Sequence, residues 1–186
     1  MRPATWSAAR AQSSAYKPIS AVMVPERMYE AMIDESKKIG TFGHGYTYSG
    51  HPVAAAVAVK TLEIYERENI VGKVNAVSPA FQSRLKALGD HPPVGEARGL
   101  GLIGALELVA DKASKRAFDP VNGIGAKVAA AAEENGLMVR ALGGDIIALC
   151  PPLIISEEEI GEMFDRLTRA LEQVEALVSA ENLRAA

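Results

Sequence analysis

From Val94 to the C-terminus, apolar residues switch between two periods in a fixed order, and no other feature restricts the fold as much. Val94–Arg98 and Leu102–Val109 carry strand patterns around Gly99–Gly101. Asn122–Asn135 has helical spacing and meets Gly136, a stop signal because glycine accepts the left-handed conformation that closes a helix. Leu137–Arg140 and Ile146–Cys150 read as strands around a Gly143–Gly144 turn. Ser156 with Glu159 forms a capping box that opens a last helix. Its apolar stripe is Ile160, Met163, Phe164, Leu167, Leu171, Val174 and Leu177, widened by Val178. Strand, strand, helix, strand, strand, helix predicts a compact α/β layer, an α+β small domain able to bury its own core.

The earlier part predicts something different. Ile19–Val24 is the one expected strand, and Pro25–Ile39 an expected helix ending on Lys37–Lys38, where cations suit the dipole. Gly40–Gly50 is a glycine-rich loop, long enough to suspect function. Pro52 suits a first helical turn, and that helix should reach about Arg67. Ile70, Val74, Val77, Phe81, Leu85 and Leu88 follow at helical spacing, with Pro79 expected to kink or break the helix. A single strand cannot satisfy its own edges. Residues 1–68 therefore read as part of a larger sheet domain or as a segment completed by a partner, and 69–186 as the small domain. Residues 1–18 are poor in large apolar side chains and are expected to pack weakly.

Charge and composition narrow the function classes. A formal net charge of −3 lacks the basic excess that nucleic acid calls for. The longest apolar runs, Pro52–Val59 and Ile146–Pro152, fall short of the roughly 20 residues that span a bilayer. Met1–Ser20 has Arg2, Arg10 and Lys17 but no apolar core of a secretory signal, so a cytoplasmic location is the default expectation. A lone Cys150 excludes an internal disulfide and reads as a buried small hydrophobe.

Gly99-Leu-Gly101-Leu-Ile-Gly104 matches GxGxxG, but a dinucleotide site needs a helix opening there, and Ala105–Val109 is too short before Asp111. A glycine-rich turn between strands is the simpler reading. His44, His51 and His91 have no metal-ligand spacing and read as structural or loop residues. Glu157–Glu159 reads as an acidic helix start. The loop Gly43-His-Gly-Tyr-Thr-Tyr-Ser-Gly-His-Pro52 places hydroxyls and glycine N–H groups just before a helix. Such a segment suits a phosphate, and it equally suits a tyrosine-rich packing loop.

That loop, with the Ala/Val-rich helix to Leu62, resembles class III pyridoxal-phosphate-dependent aminotransferases, in the branch that moves amino groups from ω-amino acids or amines to pyruvate. The run Gly95–Val109 resembles the family's hairpin entering the small domain. Gly136–Arg140, Gly143–Asp145 and Pro151–Leu153 resemble its terminal strands. The resemblance implies the C-terminal part of a fold-type I transferase, with pyridoxal 5'-phosphate as cofactor. It implies that Thr47, beside Tyr46, holds the cofactor phosphate of a neighbouring subunit. Arg140 matches the arginine that binds the substrate carboxylate, a task for which a planar guanidinium fork is suited; a surface strand residue is the other reading.

The resemblance also exposes a departure. The family's Schiff-base lysine lies in Ala-Lys-x-x-Ser-Ser-Ala-Tyr-x-Pro, and here the run is Ala9-Arg10-Ala-Gln-Ser13-Ser-Ala-Tyr16-Lys17-Pro18. A guanidinium stays protonated and cannot attack a carbonyl. Lys17 is nearby but displaced along the chain. The family's aspartate for the pyridine nitrogen and its glycine-rich phosphate turn have no counterpart here. The expectation is a chain inactive by itself, in a homo-oligomer or with a full-length homologue, whose parent handles a small amine and a keto acid. The alternative is a non-enzymatic dimerising remnant that binds such a homologue.

Overall fold

In the computed structural model the described residues are 6–9, as backbone, and 13–184. They divide into two compact units, Met1–Asn69 and Ile70–Ala186. In the first, strand β1 (Trp6–Ala9) pairs antiparallel with β2 (Ser20–Met23), with Trp6 opposite Met23. The sequence reading expected one strand here. The second was missed because Ser-Ala-Ala carries no β-branched or alternating signal. Helix α1 runs Glu26–Ile39 and α2 runs Pro52–Arg67. Among the described residues of this unit only Ser13 and Thr61 are buried, and neither is a large apolar residue.

The second unit has a full core. Helix α3 (Ile70–Ala87) leads into strands β3 (Val94–Leu100) and β4 (Ile103–Leu108). Helix α4 (Ile124–Glu134) follows, then β5 (Arg140–Leu142), β6 (Ile146–Leu149) and helix α5 (Glu157–Ala180). The four strands form an antiparallel sheet in the order β3-β4-β6-β5. One face of it is buried through Val94, Leu106, Leu108, Ile147 and Leu149. Phe81 of α3 meets Phe164 of α5 edge to face at 5.2 Å, at the centre of this core. Burying each such side chain contributes about 1.5–3 kcal/mol.

Local chemistry explains the element ends. Ser156 accepts from the Glu159 N–H, and Glu159 accepts from the Ser156 N–H at 2.7 Å, so the predicted capping box is present. The same contact holds the Glu159 carboxyl below its ordinary range, chiefly through the Ser156 backbone N–H. After α4, the Gly136 and Leu137 N–H groups donate to Glu133 and Ala132 carbonyls, the pattern of a Schellman close around left-handed Gly136.

Several boundaries differ from expectation. Pro79 lies inside α3, which continues through it. Ser78 Oγ donates to the Val74 carbonyl, and burial of Phe81 and Leu85 outweighs one lost ladder bond. The strand expected at Leu137–Arg140 begins at Arg140, since Leu137 still belongs to the helix close. Helix α4 starts at Ile124 because Pro120–Asn122 forms a separate 3-10 turn ending on left-handed Gly123. In α5 it is Val178 rather than Leu177 that is fully buried, with Ala170 added to the stripe.

Candidate functional site

The glycine motif sits at a two-residue hairpin. Leu100 pairs with Ile103, and Gly101 takes the left-handed conformation in the turn. No helix opens there. Gly99 and Gly104 face each other in register beneath α3. A Cβ on Gly99 would lie 2.5 Å from the Ile103 carbonyl oxygen, and one on Gly104 2.8 Å from Leu85. Gln82 of α3 donates to the Gly101 carbonyl at 2.9 Å. These glycines permit helix-on-hairpin packing; they do not hold a nucleotide.

The loop before α2 is built as a presenting turn. The Tyr46 N–H donates to Ser49 Oγ at 3.1 Å, and the Ser49 N–H donates to the Tyr46 carbonyl at 2.9 Å. His51 caps α2 by accepting from the Val53 N–H at 3.3 Å, with Pro52 in the first turn. Thr47 is left at the exposed tip, its hydroxyl without a hydrogen-bond partner among the described residues, beside Tyr46 at 77% exposure. His44 stacks edge-on to Tyr46 at 5.4 Å. A phosphate requires donors that are not already spent. Thr47 provides such a donor, while the Tyr46 and Ser49 N–H groups are committed to the turn. The turn thus fits one edge of a phosphate presented from outside and does not enclose it.

Arg140 belongs to the second unit, on edge strand β5. Across the sheet it stands in one row with Ala148, Ala105 and Arg98, and directly paired residues share a face. The two arginines are in different states. Arg98 donates to Glu107 at 2.7 Å and lies 3.6 Å from Glu96, and the Glu107 contact pushes its pKa up. Arg140 is exposed and makes no hydrogen bond or ion pair among the described residues. It lines a cleft of about 430 Å³ with Met138, Cys150, Pro152, Ile155 and Met163. An unspent guanidinium in an apolar cleft is suited to a carboxylate carrying an apolar body.

The hairpin that carries Arg140 is pinned from outside. Asp145 Oδ1 accepts from the Gly125 N–H at 2.8 Å at the start of α4, and its carbonyl accepts from the Leu108 N–H at 3.0 Å. Asp145 also adopts a left-handed φ of 54°. Sequence reasoning missed this anchor; the neighbouring glycines were its only signal. Cys150 was expected to be buried and is exposed, because β6 ends at Leu149 and Cys150 lies beyond the sheet. His91 carries a buried Nδ1 without a hydrogen-bond partner among the described residues, and burial pulls its pKa down. Glu175 and Glu172 act against that shift and Lys112 with it.

Tyr46 and Thr47 share one turn, Arg140 lies in the other unit, and Arg10 lies outside the described residues. Lys17 is exposed. Among the described residues no group of three metal-ligating side chains comes together, and no helix is long and apolar enough to cross a membrane.

Known proteins resemble the chain in sequence and in fold. The chain is 45% identical over 175 residues to γ-aminobutyrate transaminase 3, chloroplastic, of Solanum lycopersicum, covering 94% of this chain and 34% of that one. It is 42% identical over 176 residues to an uncharacterized aminotransferase of Sinorhizobium fredii, covering 94% and 38%. The ω-transaminase of Pseudomonas jessenii in complex with PMP superposes with a TM-score of 0.84 at 40% identity, over 96% of this chain and 39% of that one. The ω-transferase of Vibrio fluvialis JS17 superposes with a TM-score of 0.88 at 36% identity, over 97% and 43%. The chain thus spans about a third of the length of the curated relatives it matches. The sequence profile of the aminotransferase class-III family covers residues 3–171, including the Thr47 turn, the glycine hairpin and Arg140, and the chain belongs to that family.

Proposed function

We propose that this chain is the carboxy-terminal part of a class III aminotransferase subunit that moves an amino group from an ω-amino acid or amine to pyruvate. Residues 1–68 belong to the large cofactor domain and 69–186 form the small domain. The observation that carries the reading is Arg140: an unpaired guanidinium on the wall of an apolar cleft, held there by the Asp145 anchor. Arg140 binds the substrate carboxylate through its planar fork. Pyridoxal phosphate supplies the electron-withdrawing ring and carbonyl on which amino transfer in this family depends. Thr47, assisted by Tyr46, donates its hydroxyl to the phosphate of that cofactor in a neighbouring subunit. Such a contact asks for a donor at an exposed tip, which is how the turn presents it.

Arg10 decides the activity of this chain's own site. It occupies the family's lysine position and stays protonated, so the cofactor has no amine there to hold it and no base to move a proton from the substrate. The chain alone is therefore inactive, and Thr47 serves a partner, either a second copy or a full-length homologue. The test is to incubate the purified chain with pyridoxal phosphate, reduce with borohydride and map adducts by mass spectrometry. No modified lysine is expected; a stoichiometric adduct on Lys17 would overturn the assignment. Arg140→Ala in a chimera that supplies the relative's lysine should raise KM for the carboxylate substrate, with less effect on an amine that lacks one.

The second reading is a dimerising remnant without catalysis. Among the described residues of the first unit no apolar side chain is buried, which favours a partner for it, whatever the chemistry.

A further inference from the structure

The chain contains two Asn-Gly pairs, Asn122–Gly123 just before α4 and Asn135–Gly136 just after it. In such a pair the glycine nitrogen can attack the asparagine side-chain carbon, because no Cβ on the glycine blocks the approach. The two pairs share this chemistry but not their surroundings. Both glycines have a left-handed φ, and both glycine N–H groups donate within a turn, Gly123 to the Pro120 carbonyl at 3.2 Å and Gly136 to the Glu133 carbonyl at 2.8 Å. The side chains separate them. Asn135 Nδ2 donates to the Ala131 carbonyl at 2.8 Å and to Gln173 Oε1 at 2.9 Å, while its Oδ1 accepts from Arg169 Nε at 3.3 Å. Arg166 closes over Gly136, where a Cβ would lie 2.6 Å from Arg166 Nη1. The Asn122 side chain, by contrast, makes no hydrogen bond among the described residues. A Cβ on Gly123 would meet nothing within 4 Å.

We infer that Asn122 is a site of spontaneous covalent modification, passing to aspartyl and isoaspartyl forms, and that the fold protects Asn135 from the same reaction. The Gly123 nitrogen gives its proton to hydroxide and bonds to Asn122 Cγ. The Cγ–Nδ2 bond breaks, and the side-chain amide leaves as ammonia with a proton from water. Water then opens the cyclic imide, at Cγ to give aspartate or at the main-chain carbonyl to give isoaspartate. Nothing is oxidised or reduced. The attack requires the turn to open, and Pro120–Asn122 is a three-residue 3-10 turn, a class with poor hydrogen-bond geometry. Lys127 assists. Its ammonium donates to the Asn122 carbonyl, the oxygen that takes up negative charge as the Gly123 nitrogen loses its proton. The isoaspartyl product lengthens the main chain just before α4, where the Gly125 N–H holds Asp145. It thereby loosens the anchor of the hairpin that carries Arg140.

The test incubates the full chain in mildly alkaline heavy-oxygen water and maps peptides by mass spectrometry. Electron-transfer fragmentation separates aspartyl from isoaspartyl products. In the folded chain Asn122 should convert at least about tenfold faster than Asn135, which must first give up three hydrogen bonds. In urea the two rates should agree within about threefold, because local sequence alone then decides. Combined Arg169→Ala and Gln173→Ala should raise the folded-state rate at Asn135. Lys127→Met should slow Asn122 several-fold, and Lys127→Arg should restore the rate. A faster Lys127→Met chain would mean that Lys127 only holds the turn shut, which overturns its assigned role. Equal rates in the folded chain, or Asn135 ahead of Asn122, overturn the proposal without relying on any variant. The isoaspartyl form, isolated by ion exchange, should exchange its Gly125 amide faster than the parent. Unchanged exchange there would overturn the link to the Arg140 hairpin.

Discussion

Helices α1 and α5 are both amphipathic, and both have ends that can be read from sequence. Their surroundings differ completely. Helix α5 buries Ile160, Met163, Phe164, Leu167, Ala170, Leu171, Val174 and Val178, while α1 buries none of its residues. An apolar stripe states that a helix has a side to hide, not that the chain provides the cover. Most helical stability comes from that cover and not from intrinsic propensity. The second unit supplies it with a four-stranded sheet and two further helices. The first unit has a two-stranded ribbon, and a ribbon of that size is marginal in water.

This contrast can be broken by paired substitutions. Phe164→Ala should cost the second unit about 3–5 kcal/mol, because the cavity opens against Phe81. Ile33→Ala on α1 should change the stability of the same chain by no more than about 0.5 kcal/mol in denaturant titrations. A comparable loss at Ile33 would mean that the first unit has a core after all. The glycines give a second, smaller pair. Gly99→Ala brings a Cβ against a backbone oxygen and should cost about 1–3 kcal/mol. Gly43→Ala meets nothing closer than 3.9 Å and should stay within about 0.5 kcal/mol.

The cap on α5 sharpens the contrast further. Ser156→Ala should cost about 1 kcal/mol by thermal unfolding, whereas α1 has no side-chain cap to lose. The smallest effect concerns pH. Burial holds the His91 pKa below its ordinary value of 6.5, so the unfolded chain binds the proton more readily. Its stabilising contribution is complete above about pH 6.5 and is lost as pH falls through the lower folded value. His91→Phe should flatten that part of the stability profile of the second unit. An unchanged slope would place the acid sensitivity elsewhere.

The parts legible in the sequence were those with a local physical cause. The capping box at Ser156 and Glu159, the Gly136 stop, Pro52 at a helix start and the glycine hairpin each depend on residues a few positions apart. Readings failed where distant residues decided. Pro79 is tolerated because Phe81 and Leu85 are buried, and β1 exists because Ser20–Met23 lies opposite it. Cys150 is exposed because its strand stops one residue earlier than the apolar run suggested. Asp145 could not be read as an anchor, since the Gly125 N–H it accepts from lies twenty positions away.

The candidate site divides in the same way. The residue types at positions 10, 47 and 140 follow from sequence, because a donor, a fork or a cation is a property of the side chain. Their availability does not. Arg98 and Arg140 are both arginines of the small-domain sheet, in one cross-strand row, and only the structure shows that Glu107 occupies the first and leaves the second free. Thr47 is likewise free because Ser49 and Tyr46 satisfy each other. By itself the sequence determined element types, ends and chemical capacity, which are set by local sterics and side-chain identity. Only tertiary structure decided which apolar faces are covered and which charges are spent, because burial and pairing depend on atoms brought together from far along the chain.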